Sequence, residues 1–96
     1  MNDSASQYRA REDVVSTRLD DDESVLLSLE TQRYYTLNET GSRVWELVND
    51  GKTPDEIAQA ISEEWNVGRD EALDYVRSFL DELHAEGLVE EVPSSQ

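Results

Sequence analysis

Apolar positions along this chain change their period partway through. Val14, Val15 and Leu19 make a β-branched run, and from Ser24 to Glu30 the chain alternates, with Val25, Leu27 and Leu29 on one face of a strand. The acidic turn Asp20-Asp21-Asp22-Glu23 joins the two runs as a hairpin. A second turn at Glu30-Thr31-Gln32 leads into Arg33 to Leu37, where Tyr34 and Tyr35 favour a third strand. Beyond Asn38 the spacing becomes helical. Val44, Trp45 and Val48 lie on one stripe, and Ile57, Ala60, Ile61 and Trp65 on another. Ala72, Leu73, Val76, Phe79, Leu80 and Leu83 form the third. The expected class is α+β, a three-stranded antiparallel sheet followed by three helices, with one sheet face covered by the helices. The last strand is an edge unless something pairs with it.

Local chemistry sets the helix ends. Asn38 is a favoured N-cap with Glu39 in the first turn, beside the positive end of the helix dipole. Asp50-Gly51 stops that helix. Thr53 and Glu56 have the spacing of a capping box, and Pro54 stands at the first helical position. Asn66-Val67-Gly68 breaks the second helix, and the third runs from near Asp70 to Gly87. Gly87 past the last turn would let Leu88 fold back on Leu83. Leu88, Val89 and Val92 end as a short strand or an extended tail. Residues 1–12 are polar, mixed in charge and without periodicity, which reads as a disordered arm, and 93–96 read as a tail from Pro93. The folded domain is therefore expected over residues 13–92.

Ninety-six residues make one domain with a thin stability margin. No apolar run approaches the roughly 20 residues that span a bilayer, and the first residues lack a signal peptide's apolar core. A cytoplasmic protein with no membrane partner is expected. Cysteine is absent, which rules out disulfides and thiolate metal sites. The net charge is −15, from 23 acidic against 8 basic residues. After Gly51 only Lys52, Arg69 and Arg77 oppose a dozen carboxylates. Such a surface repels nucleic acid, whose binding draws on neutralised phosphates. Most of these carboxylates read as a solvated face, with a minority able to select basic segments of a partner.

The series Leu37-Asn38-Glu39-Thr40, Val44-Trp45-Glu46-Leu47, Asp50-Gly51 and Glu56-Ile57, closing with Phe79-Leu80-Asp81-Glu82-Leu83 and Glu86-Gly87-Leu88-Val89, resembles the PqqD-like proteins. These comprise the RiPP recognition elements, and the similarity covers roughly residues 14 to 91. The resemblance implies a winged-helix-like fold that binds the leader of a ribosomally made precursor peptide and presents it to a modifying enzyme or leader peptidase. It implies no catalytic residue, cofactor or metal. Members serve lasso peptides, radical-SAM-modified peptides and the quinone pathway. This chain leans toward the lasso type and departs from the quinone-pathway members around Val25 to Leu37.

Family members take the leader as an added strand on the third strand, in a groove against the third helix. Edge strands offer unpaired backbone groups, and neighbouring side chains choose the sequence. Carried to this chain, the resemblance implies a peptide-binding set of Arg33, Tyr34, Tyr35, Thr36, Leu73, Asp74, Val76, Arg77, Leu80, Asp81 and His84. On the third helix, Ala72, Val76, Phe79 and Leu83 cluster toward the core. Leu73 and Leu80 lie to one side, bordered by Arg77 and His84, as a groove wall or as the other half of a buried face. Alternation separates Tyr35 and Leu37 from Tyr34 and Thr36 and leaves open which tyrosine meets a peptide. Arg33 and Arg77 are candidates for acidic leader residues, and Asp74 and Asp81 for basic ones. Trp45 and Trp65 read as core anchors.

Catalysis has no support in these residues. His84 is the only histidine, with no cysteine to activate and with Ser42 and Ser62 remote in sequence. The acidic turn at 20–23 lacks the glycine and spacing of a calcium loop. Two other classes stay in view. A winged-helix regulator of DNA would need a basic recognition helix, whereas residues 70–86 carry one arginine, one histidine and six carboxylates. A scaffold or dimerisation subunit would pair the same edge with its own copy, so monomer and weak homodimer are both open.

Overall fold

The computed structural model describes residues 7–20 and 23–92. Five strands and three helices follow one another as β1 (Gln7–Ala10), β2 (Val14–Arg18), β3 (Ser24–Ser28), β4 (Tyr34–Leu37), α1 (Glu39–Asn49), α2 (Pro54–Trp65), α3 (Arg69–Ala85) and β5 (Val89–Val92). β2, β3 and β4 form an antiparallel sheet in that order, and β1 pairs with β5 in a separate two-stranded ribbon. The expected three strands and three helices are present. No helix among the described residues is long and apolar enough to cross a membrane.

The arm expected over residues 1–12 is corrected from residue 7 onward. β1 runs antiparallel to β5, with Tyr8 opposite Glu91 and Arg9 opposite Glu90, and the Arg9 guanidinium bonds the Glu90 carboxylate. Tyr8 also sets its ring edge-on to His84, with centroids 6.2 Å apart. No local pattern announces this strand, because its hydrogen-bond partners lie some eighty residues away and its apolar content is small. Residues 1–6, Asp21, Asp22 and the tail 93–96 lie outside the described residues. The hairpin they interrupt closes through the Leu19 N–H, which donates to the Glu23 carbonyl at 2.9 Å.

The helix ends follow their local signals. Asn38 Oδ1 accepts from the Gly41 N–H at 2.8 Å, and Thr53 and Glu56 form a complete capping box with Pro54 at the start. Gly51 and Gly87 take positive φ, of 82° and 76°. After Gly87 the Leu88 N–H returns to the Leu83 carbonyl at 2.9 Å, and both leucines are buried. α2 and α3 pack together, and Ile57, Ile61, Val76, Leu80 and Leu83 meet Val44, Trp45 and Val48 of α1 in one core.

The sheet closes that core with the less apolar side of β3. Leu26 is fully buried between buried Ser24 and Ser28, whereas Leu27 and Leu29 face outward, 36% and 55% exposed. Register explains the choice. Leu37, which leads straight into α1, lies opposite Ser24, and Tyr35 lies opposite Leu26, so these residues share the helix-covered face. Ser42 of α1 then donates to Ser24 Oγ at 2.9 Å, which satisfies a hydroxyl that burial would otherwise penalise.

Candidate functional site

Both outer strands of the sheet, β2 and β4, have an open edge among the described residues, and that of β4 lies beside α3. β4 pairs only with β3, and among the described residues no strand lies along its other side. The Ser28 N–H donates to the Arg33 carbonyl at 2.9 Å. Hydrogen-bonded and open pairs alternate along an antiparallel ladder. Arg33, Tyr35 and Leu37 therefore direct their backbone groups toward β3, while Tyr34 and Thr36 direct theirs outward. Two N–H donors and two carbonyl acceptors thus face away from the sheet at one extended edge.

α3 runs beside this edge in the opposite direction to β4. At the start of the strand Arg33 approaches Glu86 at 3.9 Å. One step along, the Tyr35 hydroxyl donates to the Glu82 carboxylate. At its end, Tyr35, Thr36, Leu37 and Asn38 share a concavity of about 320 Å³ with Glu23, Tyr75 and Phe79. Positions 75, 79, 82 and 86 recur every three or four residues, so they form one stripe of the helix facing β4. The stripe is aromatic at one end, where Tyr75 and Phe79 stack with centroids 5.9 Å apart. It is acidic at the other.

The local field is negative. Burial pushes the Tyr35 hydroxyl up to about 12, helped by its bond to Glu82 and by the charges of Glu82 and Glu86. Tyr75 is raised as well, by burial and then by Glu82. Phe79 is fixed from behind by α1, since a Cβ on Gly41 would stand 3.1 Å from the Phe79 ring. The close approach of α1 at Gly41 therefore backs one wall of the groove.

Of the residues expected here from sequence, the structure brings Arg33, Tyr34, Tyr35 and Thr36 to the open edge. It places Tyr35 on the α3 side and Tyr34, 74% exposed, on the outer face. The helix residues need correction. Val76 and Leu80 are fully buried, and Leu73 packs half-buried against the core, so Leu73 and Leu80 are the other half of a buried face. Arg77, Asp81 and His84 lie on the far side of α3. His84 meets the Tyr8 ring there, and the Tyr8 hydroxyl is raised by burial first, then by Asp81 and Glu91, with Arg77 opposing. Asp74 is exposed, off the groove-facing stripe. Tyr75, Phe79, Glu82 and Glu86 are the α3 residues that face β4. Their spacing was present in the sequence, but the apolar stripe of α3 is wide enough that either border could have faced the sheet.

Two larger concavities lie elsewhere. One of about 360 Å³ lies between β2, β3 and α1, where Arg18 pairs with Glu46 and the buried Trp45 Nε1 has no partner among the described residues. The other, of about 400 Å³, is bordered by Arg9, Arg11, Glu12, Asp13 and Glu90. The first lies beside β2, the outer strand at the other side of the sheet, and neither faces α3.

A short sheet with a free edge strand, faced by a helix across a groove, is the architecture of a small strand-accepting α+β domain. The comparisons agree. Residues 23–89 match the family of coenzyme PQQ synthesis protein D, and the chain belongs to this PqqD family. It is similar to the structure of TbiB1 in complex with the TbiA(beta) leader peptide, at 41% identity and a TM-score of 0.81, over 85% of this chain and 94% of that one. It is also similar to a lasso peptide synthetase B1 complexed with the leader peptide, at 25% identity and a TM-score of 0.80, over 88% and 98%. Among curated proteins no sequence matches.

Proposed function

We propose that this chain is a RiPP recognition element. It binds the leader of a ribosomally synthesised precursor peptide as a strand added to β4, in the groove against α3, and delivers it to processing enzymes, in a pathway of the lasso type. The observation that carries the reading is the open β4 edge facing the Tyr75–Glu86 stripe, in a chain 41% identical to a protein whose structure is solved in complex with a leader peptide. Backbone groups of Tyr34 and Thr36 supply up to four ladder bonds, each contributing about 0.5–1.5 kcal/mol net. Affinity from the ladder is largely independent of sequence, so selectivity falls to the walls.

Those walls favour an apolar leader side chain against Tyr75 and Phe79 and a basic one toward Glu82 and Glu86. The Glu82 carboxylate has spare acceptor sites after taking the Tyr35 hydroxyl. In this reading the protein performs no chemistry of its own. Its single histidine stands against the Tyr8 ring on the opposite side of α3. It works in the cytoplasm, where precursor peptides are made.

The test is a titration of isotope-labelled protein with the leader of its precursor, or with the TbiA(beta) leader, followed by amide NMR. Saturable shifts at Tyr34, Thr36 and along Tyr75 to Glu86 are expected. If those amides stay still while the peptide is in excess, the reading fails.

A further inference from the structure

The groove between β4 and α3 is hollow at one end and tied at the other. Tyr35, Thr36, Leu37 and Asn38 line the concavity of about 320 Å³, and Arg33, Glu82 and Glu86 are not among its walls. Where those three stand, side chains join strand to helix instead. The Tyr35 hydroxyl donates to the Glu82 carboxylate, and Arg33 approaches Glu86 at 3.9 Å. The two ties differ in weight. The Arg33 and Glu86 side chains are 76% and 40% exposed, and an exposed pair of that kind contributes little. Tyr35 is half-buried and donates to a charged acceptor, which makes the stronger sort of hydrogen bond. Its hydroxyl keeps its proton to about 12, through burial first and then the bond to Glu82, so it donates throughout the neutral range.

We propose that the Tyr35–Glu82 hydrogen bond is a clasp on this groove, closed in the free protein and opened by a lysine or arginine of the leader that takes over Glu82. The inference rests on the recognition reading above and adds to it a barrier to entry. A leader that bonds the outward backbone groups of both Tyr34 and Thr36 lies along both halves of the groove, since Tyr34 precedes Tyr35 on the tied side and Thr36 follows it on the hollow side. An added strand runs about 4.8 Å beyond β4, with alternate side chains turned toward α3. At the hollow end those side chains meet Tyr75 and Phe79. At the tied end they meet the Tyr35–Glu82 bond.

The chemistry of the exchange selects a cation. An incoming ammonium or guanidinium reaches Glu82 on an acceptor site that Tyr35 leaves free, so it is bound before the hydroxyl lets go. Glu86, one turn further along α3, adds a second carboxylate. A neutral leader side chain would break the same bond with no charge to give Glu82 in return, and an acidic one would meet both carboxylates. The released Tyr35 hydroxyl lies at the exposed mouth of the groove, where water takes the place of Glu82.

Two variants act on this one bond in opposite directions. Tyr35→Phe keeps the ring and removes the donor, so the clasp cannot close. Glu82→Gln keeps an acceptor for Tyr35 and removes the charge offered to the leader. Both are folded if circular dichroism melts match the wild type. The probe is the leader of the protein's own precursor at neutral pH, with binding followed by surface plasmon resonance. Tyr35→Phe should bind it about three- to tenfold more tightly, chiefly through faster association, and Glu82→Gln at least about threefold more weakly. Replacing the leader's lysines and arginines by glutamine should erase the difference between Glu82→Gln and wild type. A bond that merely braces the groove predicts a loss in both variants, so weaker or unchanged binding by Tyr35→Phe overturns the proposal. A Glu82→Gln variant that binds like the wild type overturns it too, as does a Glu82→Gln loss that persists with the glutamine-substituted leader. A wild type that binds no leader sinks the recognition reading itself, whereas equal binding by all three proteins leaves that reading standing and removes only the clasp.

Discussion

α3 lies between two tyrosines on two strands, and the two sides differ in one respect. On one side Tyr8 of β1 meets His84, with Asp81 and Arg77 nearby, and β1 is already paired with β5. On the other, Tyr35 of β4 meets Glu82, with Glu86 and Tyr75 nearby, and the outer edge of β4 has no partner strand among the described residues. Both sides hold a ring against the same helix beside carboxylates. What separates the two sides is that β5, the partner of β1, packs against α3 on the Tyr8 side, whereas on the Tyr35 side the free edge of β4 itself faces α3 across a groove. Side-chain chemistry alone does not distinguish them, and the sequence suggests Arg77, Asp81 and His84 on one side without singling out Glu82 and Glu86 on the other.

The largest expected effect comes from closing the open side. Thr36→Pro removes an outward N–H that the native sheet does not use, at an edge where proline is tolerated. Leader binding should weaken by about 2 kcal/mol or more, roughly thirtyfold in Kd by calorimetry, with little change in Tm. Loss of folding instead would mean that the Thr36 N–H points into the sheet.

The complementary change attacks the closed side. Tyr8→Ala strips a half-buried ring from α3 and should cost about 1–2 kcal/mol in chemical denaturation, with leader affinity unchanged. A large loss of leader affinity would show that the β1 side of α3 takes part in binding.

A smaller effect is expected from behind the groove. Gly41→Ala places a methyl 3.1 Å from Phe79 and 3.2 Å from Asn38 Oδ1, while alanine favours the helix by up to about 1 kcal/mol. Stability should change little, but the displaced Phe79 ring should lower leader affinity about threefold. Unchanged affinity would mean that Phe79 does not shape the pocket.

The smallest effect is the titration of Tyr35. Its hydroxyl ionises near 12 in the folded protein against an ordinary value of 10.0. The folded state thus holds that proton more tightly than the unfolded one. Its contribution is complete below about pH 10 and is lost as pH rises toward 12. Absorbance at alkaline pH should show a late tyrosine step that Tyr35→Phe removes. A step remaining near 12 in that variant would assign it elsewhere.

Much of this molecule could be read along the chain because its signals act over a few residues. The Asn38 cap, the Thr53–Glu56 box, and the turns at Gly51 and Gly87 each depend on backbone groups within about four positions. The strand-to-helix corner at Leu37-Asn38 followed from the same local rules, while the sequence left open whether the third strand has a second partner. Three other features did not follow. β1 is a strand only because β5 meets it from the far end of the sequence. The buried face of β3 was chosen by Leu37 and Ser42 across the core, since alternation alone permits either face, and the more apolar one was left outside. The rotation of α3 about its axis was set by α2 and β1, which claim Leu73, Leu80 and His84 and leave Tyr75, Phe79, Glu82 and Glu86 for the groove. Periodicity supplies a stripe and its width, whereas the neighbour that covers each border is decided by packing among segments far apart in sequence.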